Sequence, residues 1–306
     1  MYHGLLPILK PKGMTSHDVV FKARKLLKMK KIGHTGTLDP NVEGVLLLCL
    51  GQGTKLVELL MDGIKGYRGE ITLGIATETE DADGEVVAQQ AVTQPLSTTE
   101  IDAAMQQLIG QITQIPPMYS AVKVAGKRLY EYARAGEMVE RPVRQADIYH
   151  FERLNAPIYD AEQAVQRWEF DVLCGKGTYV RTLAVDLGAK LGYPSHMSAL
   201  YRYQTGGITA SEAYTLEQVA EIAERQQLET IILPLEQAVR NFASCDLTAN
   251  QYQEVKNGKV LPAAFFGEMV TEMTALFYEQ KLRAIYASHP ERTGYIKPIR
   301  MFIYED

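Results

Sequence analysis

Apolar side chains recur at helical spacing in three stretches of the chain. After Ser16, which can act as an N-cap, they lie at residues 19, 20, 23, 26 and 27 and predict an amphipathic helix that Gly33 ends. Ser97, followed three residues later by a glutamate, has the pattern of a capping box and predicts a second helix. A third stripe runs over residues 180–191, with Arg181 in its first turn. Each pattern predicts a helix with one buried face.

Strand patterns lie between these helices. The continuous apolar run at residues 45–50 predicts a fully buried strand. Residues 67–75 alternate between apolar and polar side chains and predict a strand with Tyr67 on its apolar face. Residues 168–174 alternate in the same way, and the pair Asp83-Gly84 predicts a hairpin turn. The longer predicted elements therefore all lie before residue 240.

The end of the chain has a different pattern. Beyond residue 240 we predict a short helix capped by Thr248 and short strands at residues 274–278, 282–287 and 298–302. The change predicts a larger domain over residues 1–239 and a small β-rich domain over residues 240–306. Within the larger domain, residues 123–147 are basic and have no clean period, so we predict an excursion from the core there.

The composition indicates a globular protein with a substantial core. Of the 306 residues, 46% are hydrophobic, and the longest apolar run is far too short to span a bilayer. Cys49 and Cys174 lie in apolar segments, as small buried hydrophobic residues do. From three scattered cysteines and no signal-peptide pattern we expect a cytoplasmic protein without a membrane segment.

The distribution of charge is more informative than the net charge of −5. Acidic residues gather at residues 78–85 and 212–236, whereas cations crowd two stretches on either side of the loop described next. A basic helix is most often a solvated surface, but two such stretches also fit a polyanion site. The basic residues are Lys22, Arg24, Lys25, Lys28, Lys30 and Lys31, and then Lys123, Lys127, Arg128, Arg134, Arg141 and Arg144.

The segment GHTGTLDP at residues 33–40 is the strongest candidate for chemistry. Its glycines permit backbone conformations closed to other residues and let a ligand approach closely. Pro40 keeps Asp39 out of the helical region and so helps to fix the direction of the carboxylate. The same residues also occur in ordinary turns, where an aspartate accepts backbone hydrogen bonds. The local pattern thus leaves a catalytic carboxylate and a plain turn as alternatives.

Five segments with distinctive residues follow one another along the chain. They are LKPKGMTS (9–16), GHTGTLDP (33–40) with GVL (44–46), Tyr67 with LG (73–74) and TEDADG (79–84), PPMYSAVK (116–123) and GKGTYVR (175–181). In this order they resemble the bacterial tRNA pseudouridine synthase B (TruB) family, over residues 4 to about 204. The C-terminal segment is loosely similar to the PUA domain of that family. No P-loop, zinc-spaced cysteines or dinucleotide fingerprint is present in the sequence, and we expect no cofactor and no metal.

The resemblance implies a fold, a reaction and a partner. The implied fold class is α+β, with a mixed, largely antiparallel sheet of the pseudouridine synthase type and a small C-terminal PUA-like domain. The implied reaction is isomerisation of uridine 55 in the T loop of tRNA to pseudouridine, with base flipping and without a cofactor. The implied partner is the T arm of tRNA, and we expect a monomer that needs no protein partner.

The resemblance also implies roles for particular side chains. Asp39 is the expected nucleophile, and Arg181 is its expected ion-pair partner, since a guanidinium can bind a carboxylate through two hydrogen bonds. An arginine in the first turn of a helix is electrostatically unfavourable, which itself hints at function. The remaining residues are expected to contact the RNA by stacking on the base, lining its pocket or entering the loop: Tyr67, Tyr179, Leu200 and His34. Lys10 is expected to support the loop.

The chain departs from the family pattern beside Asp39, where Val42-Glu43 replaces the smaller pair that many members carry. Three alternatives to a tRNA-modifying enzyme remain open. One is a non-catalytic RNA-binding protein on the same scaffold. Another is a glycosidase, which needs a second acid at a defined separation and for which Glu43 is the nearby candidate. The third is a relative that acts on other RNAs with guide partners.

Overall fold

The structure is a computed structural model that describes residues 1–267 and 273–304. Its strands, in chain order, are β1 (Gly4–Lys10), β2 (Ile32–His34), β3 (Glu43–Leu50), β4 (Lys65–Leu73), β5 (Ile75–Thr77), β6 (Val86–Gln89), β7 (Gly110–Gln114), β8 (Lys123–Val124), β9 (Lys127–Arg128), β10 (Arg144–Arg153), β11 (Ile158–Asp160), β12 (Val165–Cys174), β13 (Ser195–Thr205), β14 (Ile208–Thr209), β15 (Ala243–Asp246), β16 (Leu261–Pro262), β17 (Thr274–Tyr278), β18 (Lys281–Ser288) and β19 (Tyr295–Met301). The α-helices are α1 (Ser16–Leu26), α2 (Val57–Met61), α3 (Thr98–Gln106), α4 (Leu129–Ala135), α5 (Val180–Leu191), α6 (Leu216–Glu224) and α7 (Ala249–Val255).

Ten strands of the described chain form one mixed sheet. Its main path is β1-β3-β13-β4-β12-β10-β7, with β2, β11 and β14 paired to strands of that path. Neighbours run antiparallel except β3 and β13, which are parallel. Helices cover both faces: α3 and α5 pack over one, and α1 and α6 over the other. The predicted mixed, largely antiparallel sheet is therefore present.

The first helix shows where the local prediction was wrong. Thr15, not Ser16, is the N-cap, because its side chain accepts from the Asp18 backbone amide while the Asp18 carboxylate accepts from Thr15. This capping box leaves the buried Ser16 hydroxyl free to serve the loop described below. The helix ends at Leu26, since Lys28 adopts a left-handed conformation, and Gly33 lies in a strand instead.

The other element predictions agree with the structure in most places. The apolar run and both alternating segments are strands, and the predicted turn at residues 83–84 joins β5 to β6. The capping box at Ser97 opens α3, and Gly192 closes α5 in the left-handed conformation. The basic excursion contains β8, β9 and α4, but its last residues, 144–147, already belong to β10 of the main sheet. Pairing with β7 makes them part of the main sheet, where only Ala146 of the four is buried.

A second, smaller sheet lies at the end of the chain. It has the order β15-β17-β18-β19-β16 and combines one parallel pair with antiparallel pairs. Its apolar face packs against residues of the main sheet. Leu282, Ile285 and Phe302 pack in one cluster with Leu5 and Leu47 of the main sheet. The two sheets therefore share part of their core.

Cys49 and Cys174 are buried as expected, and burial raises the pKa of the Cys49 thiol to about 12 and that of Cys174 to about 11. Within the described residues, no helix has both the length and the apolar character needed to cross a membrane.

Candidate active site

The aspartate loop, residues 35–42, carries Asp39 and is held by a hydrogen bond to α1 and by a turn of its own. The backbone amide of Leu38 donates to the Ser16 hydroxyl at 2.9 Å, and the Val42 amide donates to the Asp39 carbonyl at 3.1 Å. The side chains of Leu38 and Val42 are buried in the core cluster that also contains Tyr67. Because the residues on either side are buried, the Asp39 carboxyl is held at the surface of the core, with 42% of its side chain exposed.

Lys10 ties the loop to the first strand. Its side chain is 1% exposed, and its ammonium donates to the carbonyls of Pro11, Met14 and Pro40 at 2.9, 2.7 and 2.9 Å. Burial lowers the pKa of Lys10 to about 8, although Asp39 and other carboxylates oppose the shift. Two carbonyls beside the turn at residues 12–13 and one from the aspartate loop thus converge on one buried cation, which agrees with the supporting role expected for it.

Arg181 joins two carboxylates. Its Nε lies 3.2 Å from Asp39 Oδ2, and its Nη1 lies 3.3 Å from Asp81 Oδ2. The same guanidinium donates to the carbonyls of Thr79 and Tyr119 at 2.9 and 3.0 Å. Four acceptors fix the orientation of a side chain that is only 8% exposed. These contacts compensate for the unfavourable position of an arginine in the first turn of a helix. The predicted ion pair of Arg181 with Asp39 is present.

The pKa of the Asp39 carboxyl lies above its ordinary value of 3.8. Burial is the largest cause, and the nearby charges of Asp81 and Asp83 act in the same direction. Arg181 and Lys10 oppose the rise without cancelling it. Glu43, the residue that departs from the family pattern, points instead to Lys12, with 4.0 Å between Nζ and Oε2. The environment of Asp39 is thus set by the acidic TEDADG segment more than by its sequence neighbour.

Tyr67 lies on β4 next to the aspartate loop. Its side chain shares a buried cluster with Leu38 and Val42 and is 8% exposed. Burial raises the pKa of its phenol, and the positive charge of the nearby Arg202 opposes this rise. The ring is therefore neutral and fixed in place. A fixed, neutral aromatic ring at the edge of a carboxylate site is suited to stacking on a base.

The other predicted pocket residues are held by different elements. Leu200 lies on β13 opposite Gly69 of β4 and packs, partly buried, against the same core cluster as Tyr67. Tyr179 precedes α5 and is half-buried. Its amide donates to Gln114 Oε1 at 3.0 Å, and its carbonyl accepts from Gln114 Nε2 at 3.1 Å. Leu200 therefore packs against the cluster that contains Tyr67. Tyr179 is held by Gln114 and lies two residues before Arg181 in the sequence.

His34 lies at the end of β2, before the aspartate loop. Its Nδ1 accepts from the Gly36 amide at 3.4 Å, and its ring makes an edge contact with His17, with 5.8 Å between the ring centroids. Burial lowers the pKa of the imidazole, and the neighbouring His17 and Arg202 act in the same direction. A neutral, half-buried ring fits insertion into an RNA loop better than it fits a general acid.

Three important residues carried no clear signal in the sequence. Asp81 was quoted only as part of an acidic motif, and its pairing with Arg181 depends on a long-range contact between residues 81 and 181. Gln114 and Arg202 lie in strands whose patterns give them no distinction from surface residues. Both are buried, and only the tertiary structure reveals their partners.

Among residues 1–267 and 273–304, no group of three or more His, Cys, Asp or Glu side chains is arranged to hold a metal ion. A reaction without a metal or a cofactor stays a prediction.

Comparison with known proteins gives the class and then the family. The fold matches a crystal structure of a Cbf5-Nop10-Gar1 complex with a TM-score of 0.72 over 99% of this chain and 84% of that chain, at 24% identity. This is the fold of the pseudouridine synthases, so the α+β class predicted from the sequence is confirmed. A family model for the "TruB family pseudouridylate synthase (N terminal domain)" matches residues 24–180. A second model, for the "tRNA pseudouridylate synthase B C-terminal domain", matches residues 181–240.

Relatives of the same length agree with these matches. The tRNA pseudouridine synthase B of Lactiplantibacillus plantarum is 48% identical over 305 residues, which is 99% of each chain. That of Halalkalibacterium halodurans is 46% identical over 298 residues, or 97% of each chain. The chain belongs to the TruB family of pseudouridylate synthases. It is an isomerase, which removes the non-catalytic protein and the glycosidase from the alternatives.

Proposed function

We propose that this enzyme converts uridine 55 in the T loop of tRNA to pseudouridine, with Asp39 as the nucleophile. The observation that carries the proposal is the Asp39–Arg181 ion pair, which holds a carboxylate at the surface of the core next to Tyr67. The tRNA specificity is supported by the full-length relatives, which are named for it.

The reaction needs one carboxylate and no change of oxidation state. The bond between C1′ and N1 breaks, the uracil turns, and a new bond forms between C1′ and C5. The proton leaves C5, and N1 gains a proton. Attack at C1′, attack at C6 of the uracil and abstraction of a sugar proton are the three steps that an aspartate can perform here.

Arg181 keeps the nucleophile ionised and oriented. Burial and the neighbouring acids favour protonation of Asp39, and the guanidinium opposes them. Because Arg181 is also bound by Asp81 and two backbone carbonyls, it cannot move away when Asp39 reacts. The arginine thus acts as a fixed positive charge beside the reacting atoms.

The target base must leave the RNA stack to reach Asp39. A flipped base leaves a gap in the RNA stack. We propose that His34 fills this gap, since its neutral ring lies at the edge of the aspartate loop. Tyr67 then offers its ring to the flipped base, and Leu200 and Tyr179 complete the apolar lining. This division of roles needs no cofactor.

Cations outside the site are available to hold the phosphate backbone. A groove of about 570 Å³ is lined by Arg24, Lys30, Lys31, Lys55 and Arg300, with Glu58 as its acidic member. The excursion supplies more: Lys123 is exposed, and Arg128 and Arg134 lie over the Tyr130 ring. We assign the contacts with the RNA phosphates to these two clusters, despite the net charge of −5.

An unmodified tRNA transcript tests the proposal. The pure protein should form one pseudouridine, at position 55, and none in a transcript that carries cytidine there. The product is mapped by pseudouridine-specific chemistry and sequencing. Pseudouridine at another position only, or none with a correctly folded transcript, would overturn the assignment.

A further inference from the structure

Arg202 is a buried cation in the middle of the main sheet. Its side chain is 1% exposed, and it is among the largest fully buried side chains of the protein. Within the described part of the chain, no carboxylate forms an ion pair with it. A buried charge without an opposite charge is costly, so its retention calls for a reason other than stability.

The hydrogen bonds of Arg202 lead to the aspartate loop. Its Nη2 donates to the carbonyl of Gly36 at 3.2 Å, three residues before Asp39. Its Nε donates to the carbonyl of Val45 at 2.8 Å, just beyond the other end of that loop. One rigid, planar group therefore holds both ends of the segment that presents the nucleophile.

The same residue also faces the tyrosine of the site. Arg202 is the direct cross-strand partner of Tyr67 in the pairing of β13 with β4, so the two side chains leave the sheet on the same face. The positive charge of the guanidinium opposes the rise in the pKa of the phenol that burial causes. Arg202 thus contacts the backbone of the aspartate loop and lies beside the ring expected to stack on the base.

A glycine lets the backbone of β13 come close to β3 at Arg202. In the parallel pairing of β13 with β3, Arg202 lies opposite Gly44, whose φ is +125°. A Cβ at Gly44 would come within 2.2 Å of the Arg202 carbonyl, so only glycine permits this approach. A Cβ at Gly36 would meet the guanidinium at 3.5 Å.

We propose that Arg202 is a positioning residue that sets the separation between Asp39 and Tyr67 by bridging the aspartate loop to β4. It does not touch the substrate. Its function is to keep nucleophile and base in one geometry, since a misplacement of about 1 Å can cost about 100-fold in rate. The inference rests on the roles proposed above for Asp39 and Tyr67.

The test compares Arg202→Met and Arg202→Lys in single-turnover reactions at saturating tRNA. We expect Arg202→Met to lose about 100-fold in the rate per folded molecule, with little change in the Kd for tRNA. Arg202→Lys should recover part of the rate, because an ammonium can still donate to one of the two carbonyls. Folding is checked by circular dichroism and thermal unfolding, with Arg153→Met as the matched control. Arg153 pairs with Asp102, away from the loop, and its loss should leave the rate unchanged.

A double-mutant cycle with Tyr67→Phe makes the test specific. In the wild type, Tyr67→Phe should slow the reaction several-fold, because it removes the polar hydroxyl of the cross-strand neighbour of Arg202. In Arg202→Met the same change should have no further effect. If Arg202→Met does not fold, the cycle is measured with Arg202→Lys and should show a smaller coupling of the same sign.

Two results would overturn the proposal. One is a rate per folded molecule in both Arg202 variants equal to that of the wild type, which would make the residue purely structural. The other is a pair of effects that simply multiply in the cycle. Failure of the proposed function is separate, because it would appear as turnover by Asp39→Asn whatever the Arg202 variants do.

Discussion

At the scale of the residue, Asp39 shows how opposing neighbours tune one carboxyl group. Its place in a turn before a proline was visible in the sequence, and so was the arginine that pairs with it. The acids that raise its pKa, Asp81 and Asp83, lie about 40 residues further along the chain. No local pattern could place them there, because the contact depends on the packing of the whole sheet.

The raised pKa predicts the acid side of the pH profile. Below the pKa of Asp39 the carboxyl binds a proton and loses its nucleophilicity, so the single-turnover rate should fall with a midpoint above 3.8. Asp83→Asn removes one of the charges that raise this pKa and should move the midpoint to lower pH. The measurement is the rate at saturating tRNA against pH for both proteins, with tRNA folding monitored separately. A midpoint that stays in place would show that Asp83 does not act on Asp39.

Tyr67 gives a second prediction at this scale. If the ring stacks on the base, Tyr67→Phe should keep more activity than Tyr67→Leu, because only phenylalanine retains the flat face. The rates are compared at saturating tRNA after thermal unfolding has confirmed that both variants are folded. Equal losses in the two variants would assign the function to the phenol hydroxyl instead.

At the scale of the element, patterns predicted the strands and helices better than their ends. The helix before the aspartate loop was identified by its apolar spacing, yet its N-cap is Thr15 because Asp18 completes a capping box there. The basic excursion was recognised by its lack of a period. Its final residues, 144–147, belong to β10 because they pair with β7. The sequence does not reveal this pairing. Element ends depend on such tertiary partners, whereas the apolar periodicity is local.

The excursion carries a prediction about RNA binding. Lys123, Lys127, Arg128 and Arg134 should each release counterions when they neutralise a phosphate. Neutralising all four should weaken tRNA binding and flatten the dependence of affinity on salt, with a smaller effect on the chemical step. Lys127 is expected to contribute least, since it already pairs with Glu137 at 2.7 Å. The control neutralises Lys256, at the end of α7, and Lys281, at the start of β18.

Affinity is measured against salt concentration for the wild type and both variants. An unchanged slope and affinity in the four-site variant would mean that this stretch is solvated surface. The groove lined by Arg24, Lys30 and Lys31 would then be the principal contact with the phosphate backbone.

At the scale of the whole molecule, the two sheets are joined more closely than the change of pattern near residue 240 suggested. Phe302, almost the last described residue, is 3% exposed and packs with Leu5 and Leu47 of the main sheet. Lys55 donates to the Met301 carbonyl, and Arg300 donates to the Lys55 carbonyl at 2.8 Å. The domain boundary between residues 239 and 240 remains a prediction. One hydrophobic cluster contains residues from both sides of it.

This shared core predicts coupled unfolding. Phe302→Ala should lower the free energy of unfolding by about 3–5 kcal/mol, as large truncations in a core do. Trp168 is the only tryptophan and lies buried in the main sheet, so its fluorescence reports on that sheet alone. We expect the urea midpoint of the Trp168 fluorescence transition to fall in Phe302→Ala. It should change little in Tyr295→Ala, because Tyr295 is exposed. An unchanged Trp168 transition in Phe302→Ala would show that the sheets unfold independently.

The central claim is that the Asp39 carboxylate performs the isomerisation. The most direct measurement maps pseudouridine in an unmodified tRNA transcript after incubation with Asp39→Asn, with Glu43→Gln as the matched control. Asp39→Asn should form no pseudouridine and bind tRNA nearly as the wild type does, because the amide keeps the shape but not the nucleophilicity. Glu43→Gln should remain active, since Glu43 faces Lys12. Substantial formation of pseudouridine at position 55 by a clean preparation of Asp39→Asn would contradict the account.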